Sequence, residues 1–412
     1  MAIDRLEKVL LEEIEQLKKE GRAKGKEFII VDVKKPSNGK GPRYLLKGFG
    51  EKEFIRMNSN SYLGMSLKEE IIKVEEETVR KFGVGPGAVR FISGTFQPHR
   101  DLEKVLARFH AREEAMIYSA AYVTVIGVIA ALVTPETIVI SDELNHNCII
   151  NAVRLARPKE RLIYRHLDMK DLEEKIVQSI GKAERLIIVT DGVFSMRGDY
   201  APLNVIQALA EKYDRHFSQN IITVVDDSHG VGAFGETGRG TEEVTGSKAD
   251  LLIGTLGKAF GVNGGYVVSS ETVITYLREK AITYIYSNPI TPAEAACALK
   301  VLQILDSSEG RERLSYLRGL TRRFREGIVR LGYETIESEH PIVPLLVRDT
   351  ARTADMVNYL IEHGVLATGL NYPVVPKGDE TIRFQVNADH TPADIDYVLG
   401  VLEKYKKERK AF

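Results

Sequence analysis

Apolar residues are distributed along this chain in two alternating patterns. Short, mostly apolar runs lie within residues 137–142, 186–190, 221–225 and 251–253, and polar or glycine-rich sequence follows each run. Longer segments repeat their apolar residues with helical spacing, as in residues 68–82. Buried strands that alternate with helices predict an α/β fold with a large, mostly parallel sheet.

The two ends of the chain follow other patterns. Residues 1–20 carry an apolar stripe on a charged segment, which predicts an amphipathic helix. Residues 26–57 contain short alternating runs between glycine turns, which predict a small β-rich lead-in. After Pro292, helical segments alternate with the strand-like runs PIVPLLV and TIRFQV. We therefore predict three parts, namely an N-terminal helix and β-rich lead-in at 1–55, a large domain at 56–290 and a smaller α/β C-terminal domain at 291–412.

Composition excludes several classes of protein. The chain has 412 residues and a net charge of −1, so charge gives no reason to expect a nucleic-acid or membrane partner. Its two cysteines, Cys148 and Cys297, lie far apart and form no metal or redox pattern, which suits a reducing compartment. The first residues are too charged for a signal peptide, and no apolar run reaches the roughly 18 residues of a membrane span. We expect a cytoplasmic protein.

Lys258 is the first candidate for chemistry. It follows the apolar run at 251–253 and lies among small and apolar residues, with no acidic residue within seven positions on either side. A crowded apolar position disfavours the ammonium form, so the amine becomes a usable nucleophile of the kind that forms Schiff bases. The flanking glycines, among them Gly261 and Gly264, indicate a close backbone approach or a positive φ rather than an ordinary surface loop.

Asp226 and His229 form a second candidate, in the sequence DDSHGVGAFGETGRG at the end of the run 221–225. An aspartate at a strand end can pair with a protonated ring nitrogen of a bound ligand. A histidine three residues later can reach another polar group of the same ligand ring. Aspartate and histidine also bind metals, but no further ligands at metal spacing accompany them. We therefore predict no metal site.

Two further segments place polar groups at predicted strand ends, where α/β sheets bind their ligands. The segment EAMIYSAAYVTVIGVIAALV predicts a strand, a turn of small residues and a buried helix, whose N-terminus suits a phosphate. His146 follows the strand predicted at 137–142. An ordinary βα turn remains the alternative for the first segment, and a polar turn residue for the second.

These strings together resemble the α-oxoamine synthases, pyridoxal-phosphate (PLP) enzymes that condense an amino acid with an acyl-CoA. The matching strings stand in the family's order across residues 55–405: SNSYLG, AVRFISGT, TDGVFSM, DDSHGVG, GTLGKAFGVNGGYV and NYPVVPKGDETIRFQV. The resemblance implies a PLP-dependent aminotransferase-like fold (fold type I) and a homodimer in which both chains build each site.

The resemblance also assigns roles to residues. The catalytic residues would be Lys258, which carries PLP as a Schiff base and moves the α-proton, Asp226, which pairs with the pyridine nitrogen, and His146, which stacks on the ring. The remaining cofactor contacts implied are Ala121, Tyr122, Ser195, His229, Thr255 and, across the dimer, Tyr286 and Ser287. The substrate contacts implied are Asn60, His146 and Arg383, with the arginine on the amino-acid carboxylate.

The activity implied is transfer of an acyl group from acyl-CoA to an amino acid. The strings AVRFISGT, TDGVFSM and NYPVVPKG most resemble the glycine C-acetyltransferase branch, which joins glycine and acetyl-CoA to give 2-amino-3-oxobutanoate in threonine breakdown. Val89, where aminolevulinate synthases usually have threonine, suits a short apolar acyl chain. The alternatives within the family are 8-amino-7-oxononanoate synthase, which uses alanine and a pimeloyl thioester, serine palmitoyltransferase and 5-aminolevulinate synthase.

Two readings from other classes stay open. The chain could bind PLP as a regulator or structural partner, although Lys258, Asp226, His229, His146 and Arg383 together exceed what binding requires. It could also be an ordinary aminotransferase, which would exchange amino groups with 2-oxoglutarate and release no CoA.

Overall fold

The computed structural model describes residues 3–20, 22–23, 27–372 and 374–409. The described chain divides into two compact units. The central unit consists of Asn60–Thr321 and Glu337–Pro341. The terminal unit consists of the chain up to Ser59, Arg322–Ile336 and the chain from Ile342 onward.

The α-helices include the two that apolar spacing predicted at residues 1–20 and 68–82. In chain order they are α1 (Asp4–Lys19), α2 (Glu69–Phe82), α3 (Gln97–Phe109), α4 (Ala121–Leu132), α5 (Asn147–Ala156), α6 (Met169–Ser179), α7 (Leu203–Tyr213), α8 (Thr241–Thr245), α9 (Glu271–Lys280), α10 (Ile282–Ile285), α11 (Pro292–Leu305), α12 (Ser308–Arg330), α13 (Thr350–Glu362) and α14 (Pro392–Arg409). No helix of the described residues combines the length and apolarity that crossing a membrane requires.

Five strands of the central unit lie where the sequence predicted strands, and two others were not predicted. They are β4 (Glu114–Tyr118), β5 (Thr137–Asp142), β6 (Glu160–Tyr164), β7 (Arg185–Asp191), β8 (Ile221–Asp226), β9 (Leu251–Thr255) and β10 (Gly265–Ser269). The terminal unit contains β1 (Ile30–Lys34), β2 (Arg43–Leu46), β3 (Glu53–Arg56), β11 (Glu334–Thr335), β12 (Ile342–Leu346), β13 (Val365–Leu366), β14 (Thr368–Leu370) and β15 (Thr381–Gln385).

Within the described residues, the central unit forms one seven-stranded sheet in the order β4-β10-β9-β8-β7-β5-β6. Strands β5 to β9 pair in parallel, whereas β10 runs antiparallel to both β4 and β9. Strands β5 and β9 are buried along their whole length, as expected for a sheet covered on both faces. The predicted α/β fold with a large, mostly parallel sheet is confirmed.

The terminal unit differs from the predicted division of the chain, because it joins the β-rich lead-in to C-terminal sequence. Strand β3 pairs in parallel with β13, so both belong to one sheet, β1-β2-β3-β13. The second sheet of this unit has the order β11-β12-β15-β14. Arg43 also forms an ion pair with the buried Asp394, which ties the lead-in to α14. These pairings join segments that are more than three hundred residues apart.

A half-buried histidine links two loops of the central unit. His166 lies between two carboxylates, with Nδ1 at 3.0 Å from an Asp142 oxygen and Nε2 at 3.2 Å from an Asp199 oxygen. The edge of its ring meets the ring of Phe194, with centroids 4.4 Å apart. Burial alone would lower the pKa of His166, but the hydrogen bonds to Asp142 and Asp199 outweigh it and raise the pKa to about 9.

The His166 ion pair predicts a loss of stability at alkaline pH. Because the folded-state pKa lies above the ordinary value of 6.5, the bound proton stabilises the fold below pH 6.5, and this contribution disappears as the pH rises through about 9. In urea unfolding, we expect the wild-type chain to lose on the order of 3 kcal/mol more than His166→Gln between pH 6.5 and about pH 9.5. Parallel pH curves for the two proteins would contradict the assignment of a charged His166.

Candidate functional site

A cavity of about 220 Å³ opens in the central unit at the carboxyl ends of the parallel strands. This is the edge of an α/β sheet where ligands bind. The residues that line it come from segments scattered over the whole central sheet. They are Ala121, Tyr122, His146, Cys148, Asp191, Val193, Ser195, Asp226, Ser228, His229, Thr255 and Lys258.

Eight of the residues predicted from the sequence therefore lie around one cavity. They are Ala121, Tyr122, His146, Ser195, Asp226, His229, Thr255 and Lys258. The fold brings them together because β4, β5, β7, β8 and β9 all end at the same edge of the sheet or lead directly into the turns above it.

Lys258 lies half-buried in the turn that joins β9 to β10. The turn folds back on itself: the Leu256 N–H donates to the Gly264 carbonyl at 2.9 Å, and the Gly261 N–H donates to the Lys258 carbonyl at 3.0 Å. Gly261 has a φ of 73°, and a Cβ there would lie 2.7 Å from the Ser66 nitrogen. Both features predicted for these glycines, positive φ and close backbone approach, are therefore present.

Asp226 is the last residue of β8, and its carboxylate is 6% exposed at the cavity wall. One oxygen accepts the Ser228 N–H at 3.1 Å, and the other accepts the Cys148 thiol at 3.5 Å. These donors fix the direction of the carboxylate. The neighbouring Ser228 hydroxyl is buried and has no hydrogen-bond partner among the described residues.

His146 caps the N-terminus of α5, and this fixes its tautomer. Its Nδ1 accepts the backbone N–H of Cys148 at 3.2 Å, so the neutral ring carries its proton on Nε2. Burial lowers the pKa of His146, the Asp226 carboxylate opposes the shift, and Lys258 adds to it. The ring is therefore neutral at physiological pH, with Nε2–H available as a donor.

His229 is held by two aromatic neighbours of the central unit. The Tyr62 hydroxyl lies 2.7 Å from His229 Nδ1, and His340 Nε2 lies 2.9 Å from the His229 carbonyl oxygen. Tyr62 and His340 themselves meet edge to face, with centroids 5.4 Å apart. Tyr62 belongs to the sequence SNSYLG, so part of that string supports His229.

The predicted phosphate turn has the expected strand–turn–helix form. Helix α4 begins at Ala121, directly after β4 and the turn, and its first N–H groups face the end of the sheet that carries the cavity. A Cβ on Gly265 would lie 2.5 Å from the Ala121 nitrogen and 2.5 Å from the Thr124 hydroxyl. Glycine at position 265 therefore lets β10 pass directly beneath the start of α4.

Tyr122 and Thr255 complete this side of the cavity. The Tyr122 hydroxyl donates to the Asn147 side chain at 2.8 Å and accepts from Asn151 at 2.6 Å, so the ring is tied to α5. The Thr255 hydroxyl lies 3.2 Å from the Gly264 carbonyl and 3.1 Å from the Gly257 N–H.

Four predicted residues are not among those that line the cavity. Asn60 belongs to the central unit, where its side chain is 3.5 Å from the Tyr62 hydroxyl. Tyr286, at the C-terminus of α10, is 79% exposed, and Ser287 is half-buried beside it. Arg383 lies buried on β15 of the terminal unit. Their parts in a site stay predictions.

Sequence reasoning missed four residues of the cavity wall: Cys148, Asp191, Val193 and Ser228. Asp191 offered a signal, because it ends the apolar run 186–190 just as Asp226 ends the run 221–225. Cys148 offered a weaker signal, two residues after His146. Among the described residues, no group of three or more His, Cys, Asp or Glu side chains is arranged to hold a metal ion.

Asp227, next to Asp226, has a structural environment. Its carboxylate accepts the Thr241 N–H at 2.6 Å and the Thr241 hydroxyl at 2.7 Å. A Cβ on Gly192, Gly230 or Gly240 would lie within 2.2 Å of this carboxylate. Burial raises the pKa of Asp227 to about 7. Asp227 thus packs together the loops that carry Val193 and His229.

Comparisons with known proteins agree on the family. Residues 52–402 match the family described as aminotransferase class I and II. An 8-amino-7-oxononanoate synthase of Thermosipho melanesiensis is 39% identical over 97% of this chain and 98% of its own. A mitochondrial 2-amino-3-ketobutyrate coenzyme A ligase of Bos taurus is 37% identical over 96% of this chain and 91% of its own.

Solved structures agree on the fold. A serine palmitoyltransferase (SPT) with a PLP internal aldimine has a TM-score of 0.88 and 26% identity to this chain, and the match covers 100% of this chain and 99% of that one. The predictions of a PLP-dependent aminotransferase-like fold and of PLP as the cofactor are confirmed. The chain belongs to the aminotransferase class I and II family and, within it, to the α-oxoamine synthases.

Proposed function

We propose that this chain is a PLP-dependent acyltransferase whose preferred substrates are glycine and acetyl-CoA and whose products are 2-amino-3-oxobutanoate and CoA. The observation that carries the enzymatic part is the cavity that gathers Lys258, Asp226 and His146 in the central unit. The choice of substrates rests on the strings AVRFISGT, TDGVFSM and NYPVVPKG and on Val89.

The residues of the cavity fit PLP in their chemistry. Lys258 offers an amine, Asp226 offers a buried carboxylate for a pyridinium nitrogen, and the start of α4 offers N–H groups for a phosphate. His229 and Ser195 are polar groups for the ring hydroxyl. The buried hydroxyl of Ser228 lacks a partner among the described residues, so the wall retains hydrogen-bonding capacity toward a ligand.

PLP, when bound, supplies an electron sink for the negative charge that develops at the α-carbon of the amino acid. The chain's own residues do the rest. Lys258 Nζ holds the cofactor covalently between turnovers and takes the α-proton. Asp226, fixed by the Ser228 N–H and the Cys148 thiol, keeps the pyridine nitrogen protonated and thereby keeps the sink effective.

His146 acts as a neutral donor. Because its Nδ1 is occupied by the Cys148 N–H, its Nε2–H is the group that can donate to the carbonyl oxygen of the thioester as that oxygen gains negative charge. Arg383 would hold the carboxylate of the amino acid, and Asn60 would bond to the bound substrate.

The proposed enzyme is a homodimer in which Tyr286 and Ser287 reach the phosphate of the partner's cofactor. The 79% exposure of Tyr286 leaves its ring accessible to a partner chain, as this proposal requires. The cytoplasmic location stays a prediction.

A second candidate, 8-amino-7-oxononanoate synthase, is favoured by the names of the relatives. Proteins with this name match at 39% and 37% identity, about the same as the 37% of the 2-amino-3-ketobutyrate ligase. Its substrates would be alanine and a pimeloyl thioester instead of glycine and acetyl-CoA.

Release of CoA from different substrate pairs tests the proposal. We expect thiol release with glycine plus acetyl-CoA to exceed that with alanine plus pimeloyl-CoA by at least about 100-fold in kcat/KM, since a pocket for a short chain has no room for a long one. The reverse preference would assign the second candidate. Amino-group exchange with 2-oxoglutarate without thiol release would overturn both.

Lys258→Ala is expected to lose the visible absorbance band of lysine-bound PLP and at least about 10³-fold of turnover, because it removes both the covalent anchor and the base. Lys280→Ala, at the exposed end of α9, is the matched control and should keep both. Retention of the band in Lys258→Ala would contradict the assignment of this lysine.

Gly265→Ala tests the phosphate turn. The new Cβ would push on the Ala121 nitrogen, so we expect the dissociation constant for PLP to rise about tenfold while Lys258 remains intact. Gly319→Ala is the control, because a Cβ at this position in α12 meets no atom within 4 Å. Equal PLP affinity in both variants, measured by equilibrium titration, would argue against phosphate binding at the start of α4.

A further inference from the structure

Two buried carboxyl groups stand side by side at the cavity. Strands β7 and β8 are parallel neighbours, and their last residues, Asp191 and Asp226, are partners in the register. Asp191 is 4% exposed and Asp226 is 6% exposed, and both line the cavity. The function proposed above gives Asp226 a role and leaves Asp191 without one.

Two like charges this close in a buried place cannot both persist at low cost. The hydrogen bonds decide which group carries the charge. Asp226 accepts two donors, the Ser228 N–H and the Cys148 thiol. For Asp191 the structure gives one donor, the His146 N–H at 2.9 Å. The anion is therefore better stabilised on Asp226.

The surroundings of Asp191 also favour its protonated form. Burial raises the pKa of Asp191 well above its ordinary value, the Asp226 carboxylate raises it further, and Asp142 adds to this. The His146 N–H and Lys258 oppose the shift. The titratable groups that face Asp191 come from every neighbouring element: Asp226 on β8, Asp142 on β5, Tyr164 on β6, His146 and Cys148 at α5, and Lys258 after β9.

Asp191 also belongs to a set of hydrogen bonds that sets the position of His146. The Asp191 N–H donates to the Asn145 side chain at 2.8 Å, and the Asn145 amide donates to the Val189 carbonyl at 2.8 Å. The Asp191 carboxyl then accepts the N–H of the next residue, His146. The end of β7 thus holds the Asn145 side chain by two hydrogen bonds and the His146 backbone by one.

We propose that Asp191 is a positioning residue that acts as a neutral carboxylic acid, holding the His146 backbone while leaving the single negative charge of the pair on Asp226. A neutral acid can accept the His146 N–H without competing for the pyridinium nitrogen. This inference rests on the proposed function, because it concerns how the cofactor side of that site is tuned.

The same isosteric substitution at the two register partners tests it. Asp226→Asn removes the charge and should raise the dissociation constant for PLP by at least about 30-fold. Asp191→Asn imitates the protonated acid and should raise it about threefold or less. Asp191→Ala leaves the His146 N–H without its acceptor and should raise it about tenfold. Equilibrium titration followed by cofactor fluorescence measures all three.

The pH dependence provides a readout that a merely structural role would not change. As the pH is raised, the wild-type chain should lose the Asp191 proton and place a second charge beside Asp226, which shifts the absorbance of bound PLP in one step. Asp191→Asn should lack this step. The inference is overturned if Asp191→Asn binds PLP as poorly as Asp226→Asn, or if it keeps the step.

Failure of the proposed function and failure of the Asp191 role would give different results. If the wild-type chain forms no lysine-linked PLP, detected by borohydride reduction and peptide mass, then the proposed function fails. If the wild-type chain binds PLP through Lys258 but the two Asn variants behave alike, then the proposed function stands and the role of Asp191 falls.

Discussion

The candidate site depends on how negative charge is distributed where the parallel strands of the central sheet end. Strands β5, β7 and β8 end in Asp142, Asp191 and Asp226, so the fold gathers three carboxyl groups at one edge. Each is accommodated differently. Asp142 forms an ion pair with the protonated His166, and Asp226 accepts hydrogen bonds from two donors. Asp191 lies beside the Asp226 carboxylate, which helps to raise the pKa of Asp191. The conformations of the loops above the sheet depend on how these three carboxyl groups are accommodated.

Much of the fold could be predicted from the sequence, because strands buried on both faces appear as continuous apolar runs. Strands β5, β7, β8 and β9 were found in this way. Strand β6 was missed because its residues alternate between half-buried and exposed positions, with only Tyr164 buried, and include charged side chains. Strand β10 was missed because it begins at Gly265, within the glycines that follow Lys258. Its role as the partner of β4 is a long-range pairing that no local pattern reports.

The residues of the cavity divide in the same way. Lys258, Asp226, His146 and His229 stand in strings distinctive enough to be recognised without a structure. Asp191 stands in another of these strings and Cys148 follows His146 by two residues, but their importance comes from spatial neighbours: a register partner on β8 for Asp191 and a carboxylate acceptor for Cys148. The choice of substrate is even harder to predict from the sequence, since relatives named for different substrates resemble the chain almost equally.

The antiparallel strand β10 has a consequence for the order in which the protein folds during its synthesis. Synthesis delivers β4 and α4 early, yet Gly265, against which Ala121 packs, emerges after all the parallel strands have left the ribosome. Contacts of such large sequence separation form late in folding. A nascent chain can therefore assemble the inner strands while the start of α4 is still open.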